Sequence, residues 1–419
     1  MTNDTNTKNE EKERQCRTCG RILPIEKFTK ARGRDRLFSC KECIGKKMVN
    51  SRRQKALHEI IKSGLDDSMK IERKYKKINE NRRLDEKESG IPVIGDDEVF
   101  ARLLYYKDAW VSNYGRVIEK DKDRYKLLRG RYDEVTGEKV YTLKKEVYVE
   151  STKKYKCEKC SILASKLVVE NFIVNYDMTN NTKIWHLDGD VKDNYYRHLY
   201  PVTENQYNEI RRRSSAPNIV TEEEIIEIVN SIKWKQDGWN PFDYHRGMFG
   251  VGYKGCEKRD LDSKCYIKWQ NMIQRCYDEK VHEKYKPEYR DKTVCEEWQN
   301  FANFKIWYDE HDIGDEHVDL DKDILVRGNK EYSPETCVLV KHYINVVFER
   351  RAGNCISKKK DGYAIEGNKT LRFETYAEAW NAVCERREQK KLKILENGKK
   401  KLPACLYEAI ERWDMREAG

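Results

Sequence analysis

The stretch that decides the fold is residues 184–208, IWHLDGDVKDNYYRHLYPVTENQYN. It predicts a strand that ends near His186, a turn at Gly189, a second strand of mostly apolar residues, and then a helix. Thr203, with Gln206 three residues later, has the spacing of a capping box, which places the start of that helix. The stretch therefore predicts a strand–loop–strand–helix unit with a histidine at the end of its first strand.

A histidine in this position suits a hydrolytic site. His186 can take a proton from water, while carbonyl and carboxylate oxygens of the loop and the helix hold one Mg²⁺ ion on a scissile phosphate. Mg²⁺ accepts so few protein ligands because it keeps several of its waters and also binds phosphate oxygens. The unit is therefore a candidate site for the hydrolysis of phosphodiesters.

The segments ahead of this unit have patterns of their own. Residues 110–117, WVSNYGRV, alternate on both sides of Asn113-Tyr114-Gly115, which is typical of a β-turn between two strands. Residues 139–149 are also β-patterned, and residues 162–174 have helical spacing. We therefore expect strands and one helix before residue 184.

Taken together, these segments resemble the HNH motif of phage homing endonucleases. The likeness rests on residues 185–190, on Asp193-Asn194, and on residues 198–203. Residues 111–117 resemble the module that commonly precedes the motif, and residues 162–174 resemble the helix between the two. The resemblance implies a ββα-metal core, a Mg²⁺- or Mn²⁺-dependent DNA endonuclease activity, and double-stranded DNA as the partner.

The resemblance also assigns roles to individual residues. It makes His186 the general base and Asn194 a loop-shaping residue, and His198 takes the place of the usual asparagine that orients the base. The metal role falls to Asp188, with substitutes from the helix. The implied Mg²⁺ site comprises Asp188, Asn205 and Asn208.

Two positions depart from the family pattern. Trp185 precedes the base where the family has a metal-binding Asp, Asn or His, and Tyr207 replaces the asparagine of the helix. Both changes favour an alternative function, in which the scaffold is catalytically dead and binds DNA as a regulator.

Two Cys-x2-Cys pairs near the N-terminus predict a structural zinc site. Each pair forms a tight turn that directs two sulfurs to one point, and two such turns complete a tetrahedron closed to water. Few apolar residues surround the pairs, so the metal would stabilise the fold of this segment. The expected Zn²⁺ ligands are Cys16, Cys19, Cys40 and Cys43.

A further pair, Cys157 and Cys160, lacks an adjacent partner pair. Ordinary thiols are the favoured interpretation. The alternative is a second zinc site, for which Cys256 and Cys265 would be the only plausible partners.

Composition narrows the class of protein. With 84 Lys and Arg against 73 Asp and Glu, the 419-residue chain has a net charge of +11. No stretch of 18 uncharged apolar residues occurs, and the N-terminus has no apolar core, so we expect neither a membrane span nor a secretory signal. Fourteen cysteines then indicate a reducing compartment, which the resemblance makes the cytoplasm of a bacterial host carrying a phage or prophage.

Clusters of basic residues are spread over the chain and favour a nucleic acid partner. The predicted DNA-binding residues lie after the HNH-like segment and in the C-terminal region. They are Arg211, Arg212, Arg213, Lys358, Lys359, Lys360 and Arg372.

The C-terminal half carries two more patterns. Aromatic residues at spacings of three between residues 266 and 307 indicate core packing. Residues 319–345 echo the HNH-like stretch with Asp319 in the place of the base, which suggests a degenerate second copy that holds DNA. Within residues 351–416, three strands and a helix resemble the ethylene-response-factor-like DNA-binding domain. The alternative is a plain structural appendage, and residues 402–413 are expected to pack back on this region.

The expected fold class is α+β, in a monomeric chain of several small domains. The leading function is an HNH DNA endonuclease, followed by the dead-site regulator and by an RNA-binding zinc-ribbon protein. The expected domains are a four-cysteine zinc ribbon with its N-terminal tail (1–48), a basic helical tether (49–92), the HNH core (93–214), a helical linker (215–250), an α+β module (251–350) and a DNA-binding domain (351–419).

Overall fold

The computed structural model of the protein describes residues 13–29, 38–62, 72–74, 83–215, 220–235, 239–256, 263–284, 286–348, 355–365 and 368–416. Helices and strands occur together along the chain, so the expected α+β class is confirmed. The chain divides into two compact units, Met1–Asp67 with Asn240–His245, and Ser68–Trp239 with Arg246–Gly419. Among the helices of the described ranges, none has an apolar segment long enough to cross a lipid bilayer.

The first unit contains a two-stranded hairpin and one long helix. Strand β1 (Glu13–Gln15) pairs antiparallel with β2 (Ile22–Pro24), a 3₁₀ turn follows, and helix α1 spans Lys41–Lys62. The helix crosses the expected boundary at residue 48, so ribbon and tether share one helix, and most of the rest of the tether lies outside the described residues. Among the residues described in this unit, Phe28 is the one large side chain that is fully buried, between cysteines, and such a core is too small to fold alone.

The second unit begins with a five-stranded antiparallel sheet in chain order. Its strands are β3 (Arg83–Leu84), β4 (Phe100–Arg102), β5 (Ala109–Ser112), β6 (Val117–Asp121) and β7 (Arg124–Leu127), with the short helix α2 (Glu86–Ser89) after β3. The predicted turn between β5 and β6 is confirmed. Gly115 has φ +73° there, and the buried amide of Asn113 accepts from the N–H of Val99 at 2.9 Å.

A second sheet and a helix follow. Strands β8 (Arg131–Tyr132), β9 (Lys139–Val149) and β10 (Lys154–Leu163) form a three-stranded antiparallel sheet in the order β10–β9–β8. Helix α3 (Ala164–Phe172) lies within the predicted range 162–174 and buries one face, because Leu167, Val168 and Phe172 have no exposed surface.

The predicted strand–loop–strand–helix unit is present. Strand β11 (Lys183–His186) pairs antiparallel with β12 (Leu199–Val202), with Lys183 opposite Val202 and His186 opposite Leu199. Helix α4 (Glu204–Arg213) begins with the expected capping box of Thr203 and Gln206. Local sequence therefore specified both the hairpin and the start of the helix.

Helix α5 (Glu222–Asn230) is part of the core rather than a linker. Its buried side chains, Ile225, Ile228 and Val229, pack in one cluster with Tyr200 of β12 and Ile210 of α4. Part of the expected helical linker 215–250 is therefore packed in the core of the second unit. Its residues 240–245 belong to the first unit.

The following module is mixed α+β. It contains the helices α6 (Lys264–Tyr277), α7 (Glu279–Lys284), α8 (Glu296–Gln299), α9 (Phe301–His311) and α10 (His342–Phe348), and the strands β13 (Thr293–Val294), β14 (Val318–Asp321), β15 (Glu331–Tyr332) and β16 (Val338–Lys341). The predicted aromatic stripe is core, as Trp269, Trp298 and Phe304 are at most 1% exposed.

This module packs directly on the preceding one. The buried amide of Asn303 donates to the carbonyl of Asn175 at 2.9 Å and accepts from the N–H of Met178 at 2.8 Å. The ammonium group of Lys74 is buried between the carboxylates of Glu297 and Glu335. Two segments expected as separate domains thus share buried polar contacts.

The C-terminal region has the predicted three strands and helix. Strands β17 (Ile356–Lys359), β18 (Gly362–Ile365) and β19 (Asn368–Phe373) form an antiparallel sheet, and α11 (Tyr376–Gly398) packs on it through Ala379 and Val383. Helix α12 (Ala404–Arg412) packs on α11 of this region, as expected for residues 402–413. Its Leu406 and Ile410 lie in one cluster with Ile394 of α11, and this cluster also includes residues of β16 and α10.

Candidate functional sites

The predicted four-thiol site is assembled in the first unit. The sulfur atoms of Cys16, Cys19, Cys40 and Cys43 all lie within 4.8 Å of one another. Cys16 and Cys19 flank a tight turn that ends at Gly20 with φ +71°, and the other two cysteines border the start of α1. Within the described ranges it is the only cluster of three or more His, Cys, Asp or Glu side chains that could hold a metal ion.

Hydrogen bonds and neighbouring thiols shift the pKa values of these cysteines in opposite directions. The N–H of Cys40 donates to the sulfur of Cys16 at 3.2 Å, which lowers the pKa of Cys16 to about 6. The adjacent thiol of Cys40 raises the pKa of Cys43 to about 12, because the sulfurs compete for protons. Arg21 donates to the sulfur of Cys19 at 3.3 Å, so thiolate charge at the site already has one basic neighbour.

The candidate base, His186, is held in one orientation at the end of β11. Its Nδ1 lies 2.8 Å from the carbonyl oxygen of Asp193, and its side chain is only 4% exposed. Since a carbonyl can only accept, we assign the ring proton to Nδ1, which leaves a lone pair on Nε2. Nε2 is buried and has no hydrogen-bond partner among the described residues.

Asp193 organises the loop around this histidine. Its carboxylate lies 2.6 Å from Nδ1 of His198 and accepts from the N–H of Tyr195 at 2.9 Å, while its carbonyl holds His186. The amide of buried Asn194 donates to the carbonyl of Lys192 at 3.0 Å. The three predicted catalytic residues are therefore brought together in one loop, and Asp193 is a member that sequence reasoning missed.

The predicted Mg²⁺ ligands are not brought together. Asp188 is exposed in the turn after β11, and Asn208 is exposed on α4. The amide of Asn205 donates to the carbonyl of Lys235 at 3.0 Å and so fastens α4 to a later segment.

The position before the candidate base, where the resemblance implies a metal ligand, is apolar in this chain. The rings of Trp185 and Tyr207 meet edge to face with centroids 5.4 Å apart. Trp185 is 8% exposed and packs with Tyr200 and Ile210, and its Nε1 is buried without a hydrogen-bond partner in the described residues. An indole and a phenol ring packed in this way offer no carboxylate or amide oxygen, so the metal position implied by the resemblance does not fit a magnesium ion here.

A carboxylate that the sequence did not reveal lies beside the base. Glu138 follows the turn between β8 and β9, and its Oε1 lies 4.0 Å from Nε2 of His186. Ser165 of α3 donates its hydroxyl to the same oxygen at 3.4 Å. Glu138 belongs to no motif and is distant in sequence, so no pattern in the chain could have identified it.

The predicted DNA-binding residues occupy two exposed places. Arg211 is exposed in the last turn of α4, while Arg212 and Arg213 both bind the carboxylate of Glu209 and lower its pKa to about 2. These two guanidinium groups are therefore partly neutralised.

The other basic residues lie on the C-terminal sheet. Lys358, Lys359 and Lys360 are exposed at the end of β17. Arg372 lies on the face of the sheet opposite the helix, because its neighbour Phe373 packs inward, and it pairs with Asp361 at 3.1 Å.

A second strand–strand–helix unit occurs in the following module. Strands β14 and β16 pair antiparallel and α10 follows, as expected for a second copy. The pairing register corrects the sequence alignment, because Asp321, opposite Val338, occupies the place that His186 has opposite Leu199. Asp319 lies two residues earlier.

The alternative interpretation of Cys157 and Cys160, a second zinc site, has no support in the described part of the chain. Cys157 is exposed on β10, whereas Cys265 is buried in the aromatic core of the following module. Cys157 and Cys160 therefore remain thiols in this structure.

No protein-family model, no curated protein and no solved structure matches the chain significantly.

Proposed function

We propose that the chain is a DNA endonuclease of the HNH type, which hydrolyses a phosphodiester with His186 as the general base. The observation that carries the proposal is the orientation of this histidine. At the end of β11, Nδ1 of His186 is bound to the backbone carbonyl of Asp193. The lone pair of Nε2 is left without a partner among the described residues. A general base needs this tautomer, because the nitrogen that takes the proton must be free.

The chemistry that follows is a simple displacement. Nε2 of His186 takes a proton from water, and the resulting hydroxide oxygen forms a bond to phosphorus. The bond from phosphorus to one deoxyribose oxygen breaks, and that oxygen takes a proton from solvent. Asp193 holds the imidazole through its carbonyl, while its carboxylate, bound to His198, fixes the loop.

Double-stranded DNA is the proposed partner, held by phosphate contacts. Exposed basic residues at the end of α4 and on the C-terminal sheet support this, and affinity that rests on such contacts falls steeply with salt. Zn²⁺ is the ion proposed for the four thiols, since a closed set of four cysteines is typical of structural zinc. A phage or prophage protein in a bacterial cytoplasm remains the proposed setting.

One observation favours a second candidate function. The packing of Trp185 on Tyr207 removes the family's metal ligands, and Nε2 of His186 has no contact with solvent. A scaffold altered in this way can bind DNA without cutting it. The second candidate is therefore a DNA-binding regulator.

A cleavage assay separates the two candidates. Purified protein is incubated with supercoiled plasmid and Mg²⁺ or Mn²⁺, beside the variants His186→Ala and His282→Ala. His282 is a matched control, because it is also buried and also bound to a backbone carbonyl, that of Arg275 at 2.7 Å. We expect nicked or linear DNA from the protein and from His282→Ala, but not from His186→Ala.

The opposite result is equally clear. If plasmid and a library of phage genomic DNA both stay intact while gel shifts show binding, the endonuclease is wrong and the regulator replaces it. Cleavage that survives in His186→Ala would remove the base from the proposal.

A further inference from the structure

The feature that stands out is a pair of acceptor atoms that face each other. The lone pair of Nε2 of His186 is buried, and the nearest charged atom is Oε1 of Glu138 at 4.0 Å. An ionised carboxylate can only accept hydrogen bonds, and so can Nε2 once Nδ1 donates to Asp193. A hydrogen-bond donor or a cation between or beside these atoms would relieve the unfavourable arrangement.

The carboxylate is held in place by an ordered turn. The side chain of Asp133 accepts from the N–H groups of Val135 and Thr136 at 3.0 and 2.9 Å, and its own N–H donates to the carbonyl of Glu138 at 2.9 Å. A Cβ added at Gly137 would lie 3.4 Å from Val191, so the turn touches the loop that carries the base. Glu138 is thus fixed relative to His186.

The charge of Glu138 is not balanced by a basic neighbour. In the parts of the chain that the structure describes, its one ion-pair neighbour is His186. The ammonium group of Lys139 lies over the ring of Tyr141 at 5.3 Å, and Asp193 is paired with His198. Uncompensated negative charge beside a buried lone pair attracts a cation.

We propose that Glu138 is the protein ligand of a divalent cation, Mg²⁺ or Mn²⁺, placed beside His186. The carboxylate side chain is 21% exposed, so one side of it is open to water and to a phosphate. Such ions bind readily through one carboxylate together with waters and phosphate oxygens. The catalytic meaning of the site rests on the proposed endonuclease, but the ion binds whether or not DNA is cut.

This assignment explains how a metal ion can bind beside His186 although Trp185 and Tyr207 occupy the positions of the family's metal ligands. The metal ligand that the family takes from the residue before its base is replaced here by a carboxylate from the β8–β9 turn, on the Nε2 side of the imidazole. His186 stays a base and is not a ligand. Ser165, whose hydroxyl lies against Glu138, positions the carboxylate from α3.

Binding of Mn²⁺ to the full-length, zinc-loaded protein tests the site without reference to cleavage. Electron paramagnetic resonance measures the free Mn²⁺ in titrations of the protein and of Glu138→Gln, Glu158→Gln, Asp188→Asn and His186→Ala. We expect Glu138→Gln to bind Mn²⁺ at least about tenfold more weakly than the parent protein, and the other three variants to bind it with unchanged affinity. Glu158 is the matched control, an exposed glutamate on the adjacent strand β10.

Each other outcome overturns the proposal. Unchanged binding in Glu138→Gln, or loss of binding in Asp188→Asn, would place the ion elsewhere. Loss in His186→Ala would make the imidazole a ligand, and the absence of Mn²⁺ binding to the parent protein would remove the site. Thermal melting of each variant shows that it is folded. Mn²⁺ binding that depends on Glu138, in a protein that cuts no DNA, would sustain this site and refute the endonuclease.

Discussion

Two strand–strand–helix units of this molecule share one topology, but they differ in whether the polar side chain at the end of the first strand has hydrogen-bond partners. In β14–β16–α10, the carboxylate of Asp321 at the strand end accepts from the N–H groups of Asp323 and Ile324 at 2.8 and 2.6 Å. In β11–β12–α4, the side chain at the corresponding place is His186, whose Nε2 has no partner among the described residues. A satisfied polar group stabilises the fold, whereas a buried unsatisfied one marks a place for a ligand or a reaction.

The same contrast extends to the helix of each unit. Asp319 of β14 accepts from Asn345 of α10 at 3.0 Å and lies 2.8 Å from Nδ1 of His342, so this group of polar side chains is complete in itself. The helix of the other unit presents Tyr207 to Trp185, an aromatic contact in place of a polar one. The unit β14–β16–α10 therefore resembles a copy with a structural role.

The four-thiol cluster gives the largest expected effect, and it lies outside both strand–strand–helix units. Removing the proposed Zn²⁺ with a chelator, or replacing Cys40 by Ser, should unfold residues 13–29 and 38–47, because so little apolar surface is buried there. Hydrogen exchange followed by mass spectrometry measures this. Protection in both strand–strand–helix units should stay unchanged, and retained protection around Phe28 without metal would contradict the prediction.

Substitution of the two strand-end regions should separate catalysis from structure. We expect His186→Ala to lower the cleavage rate by about 100-fold or more, the usual contribution of a general base. Asp319→Ala should leave the rate within about twofold, because its carboxylate only binds its own helix. Single-turnover cleavage measures both rates, and equal losses in the two variants would break the comparison.

The aromatic pair of Trp185 and Tyr207 should matter more for stability than its counterpart. Trp185 corresponds in register to Leu320, since each lies opposite the second residue of the partner strand. Trp185→Ala should lower the free energy of unfolding by about 3–5 kcal/mol, and Leu320→Ala by less, because Leu320 is only half-buried. Urea denaturation measures both changes. Equal losses of unfolding free energy in the two variants would mean that the packing of Trp185 contributes no more to stability than that of Leu320.

Asp321 should make the stability of its unit depend on pH. Burial raises the pKa of this carboxyl to about 6 from its ordinary 3.8. A group whose pKa is raised on folding stabilises the folded state below its unfolded value, and that stabilisation is lost as pH rises towards 6. The stability of Asp321→Asn relative to the parent protein should therefore be higher at pH 7 than at pH 4, by about 1–3 kcal/mol. Denaturation at both pH values tests this, and a constant difference would contradict it.

Local patterns predicted the parts of the fold that neighbouring residues determine. The capping box of Thr203 and Gln206, the turn at Gly115 and the paired cysteines are each set by a few adjacent positions, and all are present. Periodicity likewise identified α3 and the aromatic core of the following module.

Contacts between distant segments could not be predicted in this way. Glu138 reaches His186 only because the β8–β9 turn folds over the loop. Helix α5 has an ordinary amphipathic pattern, which gives the buried face but not its partner. The echo around Asp319 was misaligned by two residues because strand pairing, and not the similarity of letters, sets the register.

The turn at Gly115 has a consequence for how this protein can change over time. A Cβ there would lie 2.4 Å from that of Asn194, and the carbonyl of Asn113 accepts from the N–H of Tyr196 at 2.8 Å. The hairpin of β5 and β6 and the loop next to the candidate base thus have complementary surfaces in close contact, although a long stretch of sequence separates them. Recombination with a breakpoint between them would unite surfaces from different parents, so the two segments are expected to be inherited together.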